Sequence, residues 1–282
     1  MGDSVGLTWN GEVLMSGMQY GSENGDGTFD FEIGDWVEVG AGFRRAYVQK
    51  VPSWGQFTRA AIVGLRDNGE TWITFVHCAD QGCGTSGWAN LGGNVTQLRV
   101  GRDHLLDCIR IAGLAPSGNV YEARSCTDAS NSFGWRSAGG RLQDLGGLDD
   151  GDLYGVTGSG QLWYRPIGGG WKGAGGNVTS PAQHLADDGY CGLSPSRAVW
   201  CYDLRNKSWR SYGGDFKHLD DSSSIGVSAN DQVGILHGES GLRNLGGQVT
   251  QVAFSNGHVV AVAPSGSPWI RRRGVSAWER LE

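Results

Sequence analysis

Long apolar runs, clusters of basic charge and metal-ligand signatures are all missing from this chain of 282 residues. A bilayer-crossing helix needs about 18 or more consecutive apolar residues, and no such run occurs, so no membrane insertion is expected. The first residues, Met1 to Asn10, show no basic segment followed by an apolar one. Lys and Arg number 23 against 29 Asp and Glu, a formal net charge of -6 with a pI near 5.5. Phosphate backbones are held by basic stripes, so no nucleic-acid partner is expected. There is no His-Glu-x-x-His, and the six histidines stand apart without metal-ligand spacing. A metal-dependent hydrolase is therefore not expected, and neither is a cofactor or a metal. Helical periodicity is also absent, which removes the strand-to-helix setting that a Gly-rich nucleotide loop requires.

What the chain has instead is glycine, 49 residues of it, together with 12 tryptophans, spread among short apolar segments. A repeat runs through them. Its clearest copies are Trp88-Ala-Asn-Leu-Gly-Gly-Asn-Val-Thr, Trp135-Arg-Ser-Ala-Gly-Gly-Arg-Leu-Gln, Trp171-Lys-Gly-Ala-Gly-Gly-Asn-Val-Thr and Trp209-Arg-Ser-Tyr-Gly-Gly-Asp-Phe-Lys. A further copy begins at Leu242, a looser one at Trp36, and Trp278 opens one cut short by the C-terminus. Between these anchors lie two apolar strands, a Gly-containing turn and an aromatic strand, as in Gly160-Gln-Leu-Trp-Tyr-Arg165. Seven anchors with about four strands each predict an all-β, seven-bladed β-propeller occupying residues 1–282 as a single domain, because a radial ring of small sheets leaves no long open edge. The recurring Trp is expected to pack between neighbouring sheets, and the Gly-Gly to turn the chain from one sheet into the next. The longest insertions fall around Gly21 to Phe31, Val51 to Thr58 and Cys78 to Gly87.

The six cysteines fall as Cys78/Cys83, Cys108/Cys126 and Cys191/Cys201. The last two pairs are symmetric about the turns at Ser117 and Ser196, which places each pair face to face across a hairpin and within bridging reach. Three Asn-x-Ser/Thr triplets, at Asn94, Asn177 and Asn206, are candidate glycosylation sites. Both features predict a secretory or extracellular protein, with Met1-Gly2 standing where a signal peptide has been removed.

The order Trp-x-x-apolar-Gly-Gly-x-Val-x-Gln, followed by an apolar inner strand and Gly-x-apolar-aromatic-x-x-Arg, resembles the tectonin group of β-propeller lectins and related fungal propellers. That resemblance implies a secreted glycan-binding lectin. In lectin propellers the sugar-binding residues recur from blade to blade; here the residues beyond the aromatic differ in nearly every unit, which favours one site built from unlike blades. In size, cysteine pairs, sequons and blade divergence, the chain also looks like the secreted fungal hetero-Diels-Alderases. These dehydrate a hydroxymethyl tropolone to a quinone methide and add it to a sesquiterpene alkene. That second likeness is one of architecture, with no signature residue to quote.

Aligning the units on Gly-Gly places Gln97, Asp144, Ser180, His218 and Gln251 at one position, where inner strands should border a central channel, with Arg44 and Arg45 nearby in the loose first unit. The channel either holds only ordered water or forms a cavity with convergent polar groups. In a cofactor-free enzyme, positioning and charge placement must carry the rate. On the quinone-methide reading, Asp144 or His218 would act as the acid that expels water, and Arg44, Arg45 or Arg99 as the cation steadying the tropolonate oxygens. Gln97, Ser180, Gln251, Tyr47 and Trp163 would bind the ligand, a terpenoid or polyketide in the enzyme and a glycan in the lectin. A propeller that only binds protein is the third reading left open. The paired acids Asp149-Asp150, Asp187-Asp188 and Asp220-Asp221 are read as solvated turns.

Overall fold

The computed structural model describes residues 3–7, 13–23, 29–33, 37–50, 58–79, 82–103, 108–126, 132–147, 152–183, 189–220, 225–236, 241–255, 258–272 and 274–281. Every regular element among the described residues is a β-strand, and these strands make seven antiparallel sheets that follow one another along the chain. Sheet 1 comprises Asp3–Leu7, Val13–Glu23, Phe29–Ile33 and Val37–Gly40, and sheet 2 Arg45–Lys50, Thr58–Leu65, Thr71–Ala79, Gly82–Thr85 and Ala89–Gly92. Sheet 3 holds Gln97–Asp103, Cys108–Leu114, Asn119–Cys126 and Phe133–Arg141, and sheet 4 Asp144–Leu145, Leu153–Val156, Leu162–Arg165 and Lys172–Gly175. Sheet 5 runs through Thr179–Gln183, Gly189–Leu193, Val199–Asp203 and Ser208–Gly213, and sheet 6 through Phe216–Leu219, Ile225–Ser228, Val233–Leu236 and Leu242–Gly246. Sheet 7 consists of Gln251–Ser255, His258–Val262, Pro268–Arg271 and Glu279–Arg280.

The expectation of seven blades of about four strands is corrected: among the described residues there are six four-stranded blades, and sheet 2 has five strands. Its third strand, Thr71–Ala79, is long enough to pair with Gly82–Thr85 at one end and Ala89–Gly92 at the other. The segment from Cys78 to Gly87, expected to be a plain insertion, thus supplies a strand. The chain divides into two compact units, Met1–Gly139 and Gly140–Glu282.

Within each sheet, burial follows strand position. Second strands such as Cys108–Leu114, Leu153–Val156 and Gly189–Leu193 are buried at every residue, having a strand neighbour on each side. Last strands such as Ala89–Gly92 and Lys172–Gly175 are largely exposed. In the first unit, Ala61, Val63, Leu65 and Ile73 of sheet 2 pack on Leu98, Ile109, Ile111 and Ala123 of sheet 3. In the second unit, Tyr154, Val156 and Leu162 of sheet 4 meet Tyr190 and Tyr202 of sheet 5, and sheets 5 with 6 and 6 with 7 share further apolar clusters. Each such aliphatic side chain contributes about 1.5–3 kcal/mol through burial. One polar contact ties sheets 4 and 5: the Tyr190 hydroxyl donates to Asp152 Oδ2 at 3.0 Å. Burial first, and the Asp152 charge second, push that phenol well above its ordinary value.

The repeated Trp lies against the Gly-Gly that ends the preceding sheet. A Cβ added at Gly176, which stands at φ 87°, would come within 2.6 Å of the Trp209 ring. The Trp209 indole N–H donates to Ala174 O at 2.9 Å, and Trp278 does the same to Leu245 O at 3.1 Å. Where Leu242 replaces the Trp, Phe216 takes the place held by Val95, Val178 and Val249 in other copies, and Leu242 and the Phe216 ring close together over Gly214.

Two disulfides follow from strand register. Cys108 faces Cys126 and Cys191 faces Cys201, with Cα separations of 4.2 and 3.9 Å. Cys78 and Cys83 are also directly opposed in register; their side chains lie outside the described residues. Asn94, Asn177 and Asn206 are all exposed. The Thr of the first two sequons serves the fold: Thr96 and Thr179 donate their hydroxyls to Leu114 O and Leu193 O, as Thr250 does to Val262 O in a copy that has Gln248 instead of Asn. Those two sequons therefore arise from the repeat itself. Of the acidic pairs, Asp149-Asp150, Asp187-Asp188 and Asp221 lie outside the described residues.

Candidate functional site

The residues expected to border a channel are partly in step. Arg45 faces Leu65, Gln97 faces Leu114, Asp144 faces Val156, His218 faces Val227 and Gln251 faces Val262, the same register position in five sheets. Ser180 falls out of step, because the first strand of sheet 5 carries a bulge that inserts an extra residue and leaves Thr179 facing Leu193. Ser180 is in the bulge itself at φ 49°. Arg45, Gln97, Arg44, Arg99 and Tyr47 belong to the first unit, and Asp144, Ser180, His218, Gln251 and Trp163 to the second.

Two of the expected cations have structural engagements. Arg44 Nη2 donates to Thr96 O at 2.9 Å and Val95 O at 3.3 Å, holding the segment that leads into sheet 3. Arg99 is only 5% exposed. Its Nη1 donates to Leu98 O at 2.8 Å and to the Tyr47 hydroxyl at 3.3 Å, so the structure brings together one expected cation and one expected ligand-binding residue across sheets 2 and 3. The buried Arg110–Glu122 ion pair in sheet 3 was not anticipated. Trp163 lies against the strand beside it, with Gly173 so near that a Cβ there would meet its ring at 3.3 Å.

The third strands carry a second regular feature. Trp72, Tyr121, Trp163, Trp200 and Trp269 stand opposite Gly64, Gly113, Gly155, Gly192 and Ala261, one register position repeated in five sheets. Each aromatic follows a tight turn closed by the same pair of backbone hydrogen bonds, for example Arg66 N to Glu70 O and Gly69 N to Arg66 O, both 3.0 Å. Most of these side chains are half-buried, and Trp200 is 37% exposed.

In sheet 2 this turn gathers polar groups around the aromatic. The Arg66 guanidinium sits 4.3 Å from the Trp72 ring centroid and 5.4 Å from that of Phe43, a cation–π arrangement. The Trp72 indole N–H donates to Glu70 Oε2 at 3.4 Å, and Asn68 Oδ1 accepts from Glu70 N at 3.0 Å. Asn90 faces Trp72 from the last strand. Hydrogen bonding from Asn68, then from Trp72, with the Arg66 charge and Asn90 adding, holds the Glu70 carboxyl below its ordinary value despite some desolvation. Arg66, Glu70 and Trp72 are half-buried, and Asn68 and Asn90 are exposed.

At equivalent turn positions, sheet 4 has Thr157 and Gln161, sheet 5 Ser194 and Ala198, sheet 6 Ser228 and Gln232, and sheet 7 Ala263 and Ser267. Among the described residues, sheet 2 alone combines a cation, a carboxylate and an indole at this place. A carboxylate acceptor, a guanidinium donor and two carboxamides at an aromatic edge form a hydrogen-bonding set suited to a hydroxyl-rich ligand. In the sequence Trp72 stands out only as the aromatic of a repeat unit, Gly69-Glu-Thr-Trp-Ile73. The one signal in the sequence was that Arg66 and Glu70 are charged where other copies have small or neutral residues.

The sequence matches no protein-family model and no curated protein. Among solved structures it is similar to the BP39L lectin from Burkholderia pseudomallei, with a TM-score of 0.65 and 12% identity over 99% of this chain and 95% of that one. It is also similar to Prp20p from Saccharomyces cerevisiae, which binds Gsp1p and histones (TM-score 0.55, 10% identity, 82% and 78% covered). YCF48 bound to D1 peptide is a third (TM-score 0.51, 11% identity, 84% and 86% covered). The likeness is one of fold: an all-β propeller of four-stranded antiparallel blades.

Proposed function

We propose that this protein is a lectin-like propeller that binds glycans, with the Arg66, Glu70, Trp72 and Asn90 cluster of sheet 2 as its principal sugar site. The observation behind this reading is the convergence of those groups at one turn, on a fold similar to a lectin over nearly its whole length. Glu70 accepts hydrogen bonds from sugar hydroxyls, Arg66 and Asn90 donate them, and Trp72 gives the pocket an apolar wall. The two disulfides are consistent with an extracellular or secretory location, where glycans are displayed.

The hetero-Diels-Alder reading draws no such support. Of its expected cations, Arg44 and Arg99 are occupied by backbone carbonyls and Tyr47. The deciding experiment is a glycan array followed by thermal-shift titration of the hits, with tropolone and sesquiterpene compounds in parallel. Binding of a sugar that Glu70→Gln and Arg66→Ala abolish is the expected result. A melting shift with the tropolone or terpenoid compounds alone would overturn it.

A further inference from the structure

We propose that sheet 1 is a docking site for an extended peptide of a partner protein, which adds to it as a first strand and carries two aliphatic residues three positions apart with an acid just before the second. Asp3–Leu7 takes the place of a second strand. Leu7 faces Val13 and Gly6 faces Leu14, the register of Val156 with Leu162 and Gly155 with Trp163 in sheet 4. The intervening Thr8-Trp-Asn-Gly-Glu12 matches Thr157-Gly-Ser-Gly-Gln161 in the same way. Asp3–Leu7 also lies against Arg45–Lys50, the first strand of sheet 2, just as the second strands of sheets 4, 5 and 6 lie against the first strands that follow them. In sheets 2 to 7 a first strand pairs with the second; among the described residues none pairs with the other edge of Asp3–Leu7.

That edge is shaped for a neighbour. At the register position of Gly6, sheets 3 to 6 have Gly113, Gly155, Gly192 and Gly226. There the glycine makes room for the first strand and the residues leading into it: a Cβ at Gly155 would stand 2.6 Å from Leu142 Cδ1 and 2.5 Å from Asp144 O, and one at Gly226 2.5 Å from His218 O. Gly6 keeps the glycine in the sheet that has no first strand. In sheet 4 the first strand is received by the carbonyls of Val156 and Tyr154, which accept from Gln143 N at 2.7 Å and Gly146 N at 2.8 Å. Leu7 and Val5 hold the same positions. A strand edge with its amides and carbonyls unspent is a template for strand addition.

The residues that fill this place elsewhere give the chemistry of the occupant. Val95 and Leu98, Leu142 and Leu145, and Val249 and Val252 are buried pairs, each three positions apart. First strands of successive sheets lie side by side, so the vacant place adjoins Arg45, whose exposed side chain makes no hydrogen bond or ion pair. An acid facing Leu7 stands level with that guanidinium and complements it. The described strands of a second copy are committed to their own sheets, which leaves a separate extended segment as the occupant. None of this rests on sugar binding.

The probe is a fluorescent peptide of residues 139–147, which contains Leu142-Gln143-Asp144-Leu145 and so meets both requirements. Titration with the full chain should raise its anisotropy to saturation at one peptide per chain. Hydrogen exchange at the Val5 and Leu7 amides should slow severalfold, with no change at Val156. Gly6→Val should weaken binding about tenfold or more, by filling the space of the first aliphatic. Should Gly6→Val fail to fold, a charge exchange decides: Arg45→Glu should weaken the wild-type peptide severalfold and restore binding of a peptide carrying Asp144→Lys. Anisotropy that does not saturate, unchanged affinity in folded Gly6→Val, or Val5 and Leu7 amides already protected in the free chain, as monomer or dimer, overturns the proposal. A blank glycan array would sink the lectin reading and leave this one standing, and peptide binding says nothing for or against sugar.

Discussion

Arg197 stands at φ 63° and is paired with Asp215, Nε to Oδ1 at 2.8 Å, at a turn position that Gly69, Gly118, Gly160 and Gly266 occupy elsewhere. Arg197 O also accepts the backbone N–H of Phe216, as Gly69 O does for Val95, Gly160 O for Val178 and Asp231 O for Val249. Each turn is thus bonded to the segment that leads into the following sheet. Where the turn residue is glycine, Asn94 or Asn177 lies over it; where it is Arg197, the residue at the Asn position is the acid Asp215. The side chain before the next strand is matched to the turn beneath it. A left-handed conformation costs a non-glycine residue about 1–2 kcal/mol, and at Arg197 an exposed ion pair of under about 1 kcal/mol offsets only part of that.

Arg197→Gly should therefore leave the urea-unfolding free energy unchanged or raise it by up to about 1 kcal/mol. Asp215→Asn should lower it by less than about 1 kcal/mol, and that difference should vanish in molar salt, where exposed charges are screened. A loss beyond about 2 kcal/mol for Arg197→Gly would show that the ion pair outweighs the backbone cost.

Phe216 and Leu242 share one volume. Phe216→Val should cost about 1–3 kcal/mol by leaving a cavity, and Leu242→Trp a similar amount by overfilling. The double variant restores the Val and Trp of the other copies and should recover most of the loss, a coupling of at least about 1 kcal/mol in a double-mutant cycle. Simple addition of the two costs would refute the shared-volume account.

Glu70 sets a pH dependence in the acid range. Its carboxyl is held below the ordinary value, so its contribution is fully present above the ordinary carboxylate range and is lost as pH falls through the lowered folded value. The turn and any sugar affinity should therefore hold at neutral pH and weaken only in strong acid. Urea midpoints of wild type and Glu70→Gln should draw together as pH falls, and a gap of constant size at all pH values would exclude Glu70 as its origin.

Reduction of the folded protein tests the hairpin bridges. Cys108→Ala/Cys126→Ala and Cys191→Ala/Cys201→Ala should each lower stability by about 2–4 kcal/mol, chiefly by freeing the unfolded chain. Thermal scans with and without reductant should show the loss in wild type and, for each double variant, only the part owed to the bridges that remain.

The repeat, the all-strand character and two of the cysteine pairings were determined by the sequence alone, because each rests on contacts near in the chain. A hairpin sets the register of Cys108 with Cys126 from the position of its turn, and alternating apolar residues at fixed spacing leave no alternative to short strands. Counting from Gly-Gly located Gln97, Asp144, His218 and Gln251 correctly but misplaced Ser180, since a bulge adds a residue without altering composition. Only the tertiary structure could decide that Gly82–Thr85 joins sheet 2 as a fifth strand, or that Arg44 serves the backbone of the next sheet. The same holds for the sugar-site candidate: Asn90 reaches Trp72 only after the chain has turned back twice, and Arg66 lies over Phe43, which precedes the first strand of the sheet. Local sequence sets the backbone's path, but convergence of side chains from separate strands depends on how the sheet is closed.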